Sequence, residues 1–315
     1  MREDHPIAPM LPSRKPEWLK VRLPSGESFA EIKRLREELR LSTVCEEARC
    51  PNMGECWGTG TATFMLLGDT CTRGCRFCNV ATGNPRQKVD AAEPENVLHA
   101  VRTMRLTYVV LTMVDRDDLV DGGAAQVATT SRLLRAGEPT LKVEIRAGDF
   151  QGNAADVRTV VAAGAQVFAH NIETVRRLTP RVRDRRCGYD RTLEVLRRAK
   201  AERPEVVTKS SVMLGLGETE AEIDETLRDL LAAGVEIVTL GQYLRPAQKF
   251  LPVEEYVRPE IFDLWKRRAE AMGFAFCASG PLVRSSYRAG EVFLESWLDG
   301  RSTEGGSETK KNAAG

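Results

Sequence analysis

Cys71-Thr-Arg-Gly-Cys75-Arg-Phe-Cys78 sets three thiols on one short stretch with the spacing C-x3-C-x2-C. Thiolates are the ligands of iron–sulfur clusters, and a closed cubane takes four of them. Three on one loop hold three irons of a [4Fe–4S] cluster and leave the fourth iron open, as catalytic metal sites keep a position empty. A structural zinc site wants four ligands, commonly as two paired hooks. No Cys or His follows Cys78 closely; the next histidine is His99. Just upstream, Cys45-Glu-Glu-Ala-Arg-Cys50-Pro-Asn-Met-Gly-Glu-Cys56 has the spacing C-x4-C-x5-C and offers thiolates for a second cluster. These two triplets account for six of the eight cysteines. In a reducing setting such clustering points to metal rather than to disulfides. Cys187 and Cys277 stand alone and read as small buried hydrophobes.

Elements that position these thiols follow from hydrophobic periodicity. Strands are expected at Thr63–Leu67, Tyr108–Thr112, Val143–Arg146, Gln166–Ala169, Val206–Met213 and Val235–Leu240. Helices are expected at Pro94–Met104, Gly123–Arg135, Ala154–Ala163, Arg191–Arg203, Glu220–Ala233 and Pro259–Met272, with Gly164, Gly234 and Gly273 as C-terminal caps. A further helix is expected over Ser28–Arg40. Six alternating units argue for a parallel sheet, either doubly wound or a partial barrel; periodicity does not choose. The division is an N-terminal extension (1–60) carrying the first three cysteines, a central α/β domain (61–280), a C-terminal segment (281–299) and a Gly/Ser/Glu/Lys-rich tail (300–315) expected to be disordered. No internal repeat is present.

Of the 315 residues 42% are hydrophobic, enough for a sizeable core, and the formal net charge is +1. That balance demands neither nucleic acid nor a membrane. No apolar run approaches the ~20 residues of a membrane span. Met1–Lys20 lacks an apolar core and carries Glu3, Asp4 and Glu17, so a cytoplasmic protein is expected. Arg176–Arg198 holds nine arginines against three acids, which suits a solvated face or a docking surface for an acidic partner.

C-x3-C-x2-C with an aromatic residue, Phe77, just before the last Cys resembles the radical S-adenosylmethionine (SAM) superfamily. The resemblance implies a partial (β/α)6 TIM-like barrel and SAM chelated to the open iron held by Cys71, Cys75 and Cys78. Reductive cleavage of SAM then yields a 5′-deoxyadenosyl radical that takes hydrogen from unactivated carbon. The tandem of triplets resembles lipoyl synthases. So do Gly68-Asp-Thr, Val114-Asp-Arg-Asp-Asp-Leu119, Asp121-Gly-Gly123, His170-Asn-Ile-Glu-Thr174, Gly215-Leu-Gly-Glu218, Gly241-Gln-Tyr-Leu244 and Arg284-Ser-Ser-Tyr287. The match runs from about Pro16 to Ala289.

That family implies a sulfurtransferase reaction. Two sulfur atoms enter C6 and C8 of a protein-bound octanoyl-lysine, two SAM are consumed, and a sacrificed auxiliary [4Fe–4S] cluster supplies the sulfur. The family places Cys45, Cys50 and Cys56 on that cluster and completes it with a serine of Arg-Ser-Ser-Tyr; Ser286 is expected, with Ser285 the fallback. A hard alkoxide ligand suits a cluster that must open. Asp115, Glu144, Asn171 and Glu173 lie at or near strand ends, where a parallel barrel aims ligands at its C-terminal mouth. Asn171 and Glu173, ahead of Asp115 and Glu144, are candidate contacts to SAM's ribose and amino group, the competing reading for each being a polar cap on the following helix; His170 is expected to pack in the mouth. Implied partners are octanoylated lipoyl domains of 2-oxoacid dehydrogenase E2 or glycine cleavage H protein type, an electron donor such as flavodoxin or ferredoxin, and a cluster-repair carrier.

The chain departs from the family pattern at Met113, Arg146-Ala-Gly148, Phe250 and Cys187, which stands for a small residue; none is a proposed cluster ligand. A radical SAM tRNA methylthiotransferase also uses two clusters, but it needs a basic RNA-binding surface, of which the sequence gives no sign. A non-catalytic electron carrier closes its clusters with four thiolates each.

Overall fold

The computed structural model describes residues 15–20, 34, 38–39, 41–43, 52 and 61–286. The tail 300–315, most of the helix expected at 28–40, and Cys45, Cys50 and Cys56 lie outside the described residues. After a 3-10 turn at Glu17–Leu19, the chain gives β1 (Ser42–Thr43), β2 (Thr61–Leu66), β3 (Thr70–Cys71), β4 (Ala81–Thr82), α1 (Glu93–Thr103), β5 (Tyr108–Met113), α2 (Ala124–Gly137), β6 (Lys142–Arg146) and α3 (Ala154–Val161). It continues with β7 (Val167–Ala169), α4 (Thr179–Val182), α5 (Tyr189–Glu202), β8 (Val207–Leu214), α6 (Glu220–Ala232), β9 (Ile237–Gln242), α7 (Pro259–Met272) and β10 (Phe276–Gly280).

One eight-stranded sheet has the order β1-β2-β5-β6-β7-β8-β9-β10. Every pair in it is parallel except β1 with β2. Parallel neighbours require crossovers, and a helix follows each of the six strands from β2 to β9. This is the partial (β/α)6 TIM-like barrel of the radical SAM type, extended by a seventh parallel strand, β10. That strand was not foreseen from sequence, because Ala278, Ser279 and Gly280 carry little strand propensity. The helices start and stop on local chemistry: Thr219 and Glu222 form a capping box on α6, and Gly273 ends α7 at φ 112°.

Strand side chains alternate between faces. The outward residues Val109, Leu111, Val143, Ile145 and Phe168 pack under α1–α3; Val212, Leu214, Val238 and Leu240 pack under α5–α7. Facing inward at the strand starts, Tyr108, Val110, Val167, Val207 and Ile237 form a separate apolar layer with Phe276. Directly above lies Glu144, placed by sequence near the ligand-binding end. It is instead mid-strand and fully buried, paired with Lys209 at 2.9 Å and accepting from Tyr108 Oη at 2.9 Å. It belongs to the barrel floor, not to the mouth. Nearer the C-terminal ends the inward register holds Thr112, Arg146, Ala169, Ser211, Gly241 and Gly280, smaller or polar residues that leave room for a ligand.

Gly241-Gln-Tyr-Leu244 works structurally. Gln242 binds the backbone of Leu214, Tyr243, Glu255 and Val257, and Tyr243 Oη donates to Leu251 O at 2.8 Å. A Cβ on Gly241 would stand 2.1 Å from Val283 O, so only glycine lets the segment after β10 cross the barrel end. Gly241→Ala should therefore destabilise the chain by about 1–3 kcal/mol, as overpacking against backbone does; a lowered midpoint in urea unfolding checks this.

Candidate active site

The cluster loop leaves β2 and closes on itself. Cys71 ends β3, which pairs with β4, and Gly83 N donates to Cys71 O at 2.9 Å. Two separate segments then grip it. From the end of β5, Asp115 O accepts from both Thr72 N and Thr72 Oγ1 at 2.9 Å, and Asp117 N donates to Thr72 Oγ1 at 3.0 Å. Arg73, between the first two cysteines, is buried with its guanidinium 2.7 Å from Asp117, 2.6 Å from Asp149 and 3.5 Å from Asp115. From the far side the last residue of α4 and the stretch after it hold the loop backbone. Val182 O accepts from Arg76 N at 2.9 Å, Asp184 Oδ2 from Gly74 N at 2.8 Å, and Arg186 donates to Thr72 O at 2.6 Å. Asp184 N also donates to Cys75 Sγ at 3.3 Å.

Cys71, Cys75 and Cys78 are all half-buried. Burial, with the charge of Asp115 added, pushes the Cys71 thiol up to about 12. The contact with Cys187 and then burial push Cys75 up, and burial raises Cys78. Metal loading must displace the protons so held. The three thiols are free, half-buried and on one loop, a donor set that fits a cubane, in which each thiolate takes its own iron.

Beside the loop the mouth holds polar atoms with no partner. His170 Nδ1 lies 2.9 Å from Ala147 O, and since a carbonyl only accepts, the proton is assigned to Nδ1 and Nε2 is a bare acceptor. Burial and the nearby Arg183 hold this imidazole neutral, with a pKa lowered to about 4. Asn171 donates to Glu173 Oε1 at 3.0 Å, while Asn171 Oδ1 and Arg183 Nε are buried without partners. Glu173 has φ 69°, a strained backbone of the kind found at ligand sites, and burial raises its pKa. The structure thus brings Asn171, Glu173 and His170 together at one strand end. Asp115 sits on the cluster-loop side, against Arg73. Phe77 packs against the hydrophobic core beneath β8 and β9.

The C-terminal segment lies over the same mouth. Arg284 donates to Gln242 O at 3.3 Å, and Arg146, held by Thr112 Oγ1 at 3.0 Å, donates to Ser285 Oγ. Ser286 is half-buried, and no described residue engages its hydroxyl. Asn52, between Cys50 and Cys56, is buried and donates to Leu282 O at 2.6 Å. Asn52 therefore meets the chain two residues before Arg284.

Arg73, Asp117, Asp149, Asp184 and Arg186 were missed as site residues. The available signals were an arginine inside the cysteine loop, Asp117 within Val114–Leu119, and the three arginines and one aspartate of Arg183-Asp-Arg-Arg186. The arginine-rich run is not simply a solvated face: Arg176, Arg177 and Arg181 pair with Asp190, Glu222 and Glu254, while Arg183 is buried and Arg186 serves the cluster loop.

A family profile for the radical SAM superfamily matches residues 65–230, and one for the N-terminal domain of lipoyl synthase of the radical SAM family matches residues 10–50. The chain is 56% identical over 301 residues to a lipoyl synthase of Sorangium cellulosum, covering 91% of this chain and 81% of that one. It is 55% identical over 293 residues to a mitochondrial lipoyl synthase of Drosophila melanogaster, covering 91% and 78%. Among solved structures, the hydrogenase maturase HydG of Carboxydothermus hydrogenoformans shares the fold at 11% identity and TM-score 0.54, covering 85% of this chain and 78% of that one. Methylornithine synthase does so at 16% and 0.53, covering 76% and 69%. With identity at this level along nearly the whole sequence, and a cysteine loop seated in a barrel of the right kind, the chain belongs to the lipoyl synthase family of radical SAM enzymes.

Proposed function

We propose that the chain inserts sulfur at C6 and C8 of an octanoyl group carried on a lysine of a lipoyl domain of the 2-oxoacid dehydrogenase E2 or glycine cleavage H type. As a member of its family it uses SAM and [4Fe–4S] clusters and acts on a protein-bound octanoyl group. When bound, one cluster supplies the electron that cleaves SAM to a hydrogen-abstracting radical and the other supplies sulfide. In this reading Cys71, Cys75 and Cys78 hold the first cluster, and Cys45, Cys50, Cys56 and Ser286 the second. The observation that carries it is the hydrogen bond from Asn52, which lies between Cys50 and Cys56 in sequence, to Leu282, two residues before Arg284 of the serine motif.

The chain's own residues bind and orient. Asn171 and Glu173 suit hydroxyl and ammonium donors, the bare Nε2 of His170 a further donor. Arg183, a buried guanidinium with no carboxylate at salt-bridge distance among the described residues, suits SAM's carboxylate. Ser285 is already engaged by Arg146, which leaves Ser286 to the iron. No helix among the described residues is long and apolar enough to cross a membrane; relatives in fungi and fly are named as mitochondrial. The reading extends to a reducing cytoplasm with a flavodoxin- or ferredoxin-type donor and a carrier that rebuilds the spent cluster.

The test is anaerobic reconstitution followed by mass spectrometry of an octanoyl-lysine peptide incubated with SAM and dithionite. A doubly thiolated peptide with matching 5′-deoxyadenosine is expected; 5′-deoxyadenosine without thiolation would overturn the sulfur-insertion reading. Metal analysis of the same sample should give about eight irons per chain, four per triplet, and iron saturating at half that value would remove the second cluster.

A further inference from the structure

Cys187 lies on the stretch that grips the cluster loop, buried at 5% exposure, with its Sγ 4.0 Å from Cys75 Sγ. Arg73 Nη1 donates to the Cys187 sulfur at 3.5 Å, and Arg73 is itself fixed by Asp117 and Asp149. On its other side Cys75 Sγ receives the Asp184 N–H at 3.3 Å. The backbone of the same stretch holds Cys187 in place, its N–H donating to Asp184 O at 2.8 Å.

We propose that Cys187 is a positioning residue that donates its S–H to the Cys75 sulfur, forming with the Asp184 N–H a two-donor cradle that sets the reduction potential of the SAM-binding cluster. The inference rests on the reading of Cys75 as a cluster ligand. A thiolate bound to iron only accepts, so of these two sulfurs Cys187 alone can donate. Arg73 fills the acceptor side of Cys187, which turns its hydrogen away from the guanidinium and toward Cys75. Hydrogen bonds to the sulfurs of a cluster are one of the levers that set its potential, because they stabilise the more negative, reduced form. Losing a donor therefore makes the cluster harder to reduce.

The experiment is an EPR-monitored redox titration of the reconstituted full chain, read on the signal that SAM perturbs, for wild type, Cys187→Ala and Cys187→Ser. EPR reads loaded clusters alone, so partial loading of a variant does not blur the comparison. Cys187→Ala should move the midpoint to a more negative potential, and Cys187→Ser, which keeps a donor of similar size, should restore most of it. A midpoint for Cys187→Ala equal to that of wild type overturns the inference. So does an equal shift in both variants, which would make the residue a space-filler. Absence of any SAM-responsive signal in wild type would instead overturn the ligand reading of Cys71, Cys75 and Cys78.

Discussion

Cys75→Ala is expected to abolish SAM cleavage, with 5′-deoxyadenosine formation falling by more than about 100-fold. Loss of an outer partner of a metal ligand typically costs 10–100-fold, and loss of the ligand itself should cost more. Cys75 is the middle thiol of its loop, and its sulfur lies against Asp184 N and Cys187. Without it a cubane keeps two thiolates from this loop and loses the single open iron on which SAM depends. The protein should still fold, because the loop is anchored through Thr72, Arg73, Gly74 and Arg76 rather than through the cysteines. Far-UV circular dichroism and the thermal midpoint of the metal-free protein should match wild type. A variant that makes 5′-deoxyadenosine at the wild-type rate would remove this triplet from radical generation.

Cys56→Ala should separate the two halves of the reaction. Its triplet is distinct in sequence from the cluster loop, so SAM cleavage should remain within about threefold of wild type, an effect of roughly 0.7 kcal/mol. Thiolated product should fall below detection, since the carbon radical forms with no sulfide in reach. The measurement quantifies 5′-deoxyadenosine and thiolated peptide in the same reaction. Product at wild-type yield would mean that the sulfur has another source. Ser286→Ala should lie between these extremes, keeping more iron than Cys56→Ala yet turning over poorly.

What could be read from the sequence divides along physical lines. The α/β alternation was plain because buried parallel strands such as Tyr108–Met113 and Ile237–Gln242 are apolar runs set between amphipathic helices. The cysteine triplets were plain because their spacing is local. β10 was hidden because its small residues answer to the crossing of Val283 and not to strand propensity. Glu144 was misplaced because a sequence shows that a carboxylate lies on a strand but not that Lys209, two strands away, neutralises it. The grip on the cluster loop was hidden for the same reason: Arg73 meets Asp117 and Asp149, and Gly74 meets Asp184, only after folding. Arg186 looked like one more surface charge, while its partners are a backbone oxygen of the loop and two carboxylates.

The packed layer of Tyr108, Val110, Val167, Val207 and Ile237, with the Glu144–Lys209 pair above it, plugs the lower end of the barrel. Acyl chain and nucleoside therefore approach from the rim. A lipid tail on a long lysine tether suits such a doorway, since a slender arm can dip in while its bulky carrier stays outside.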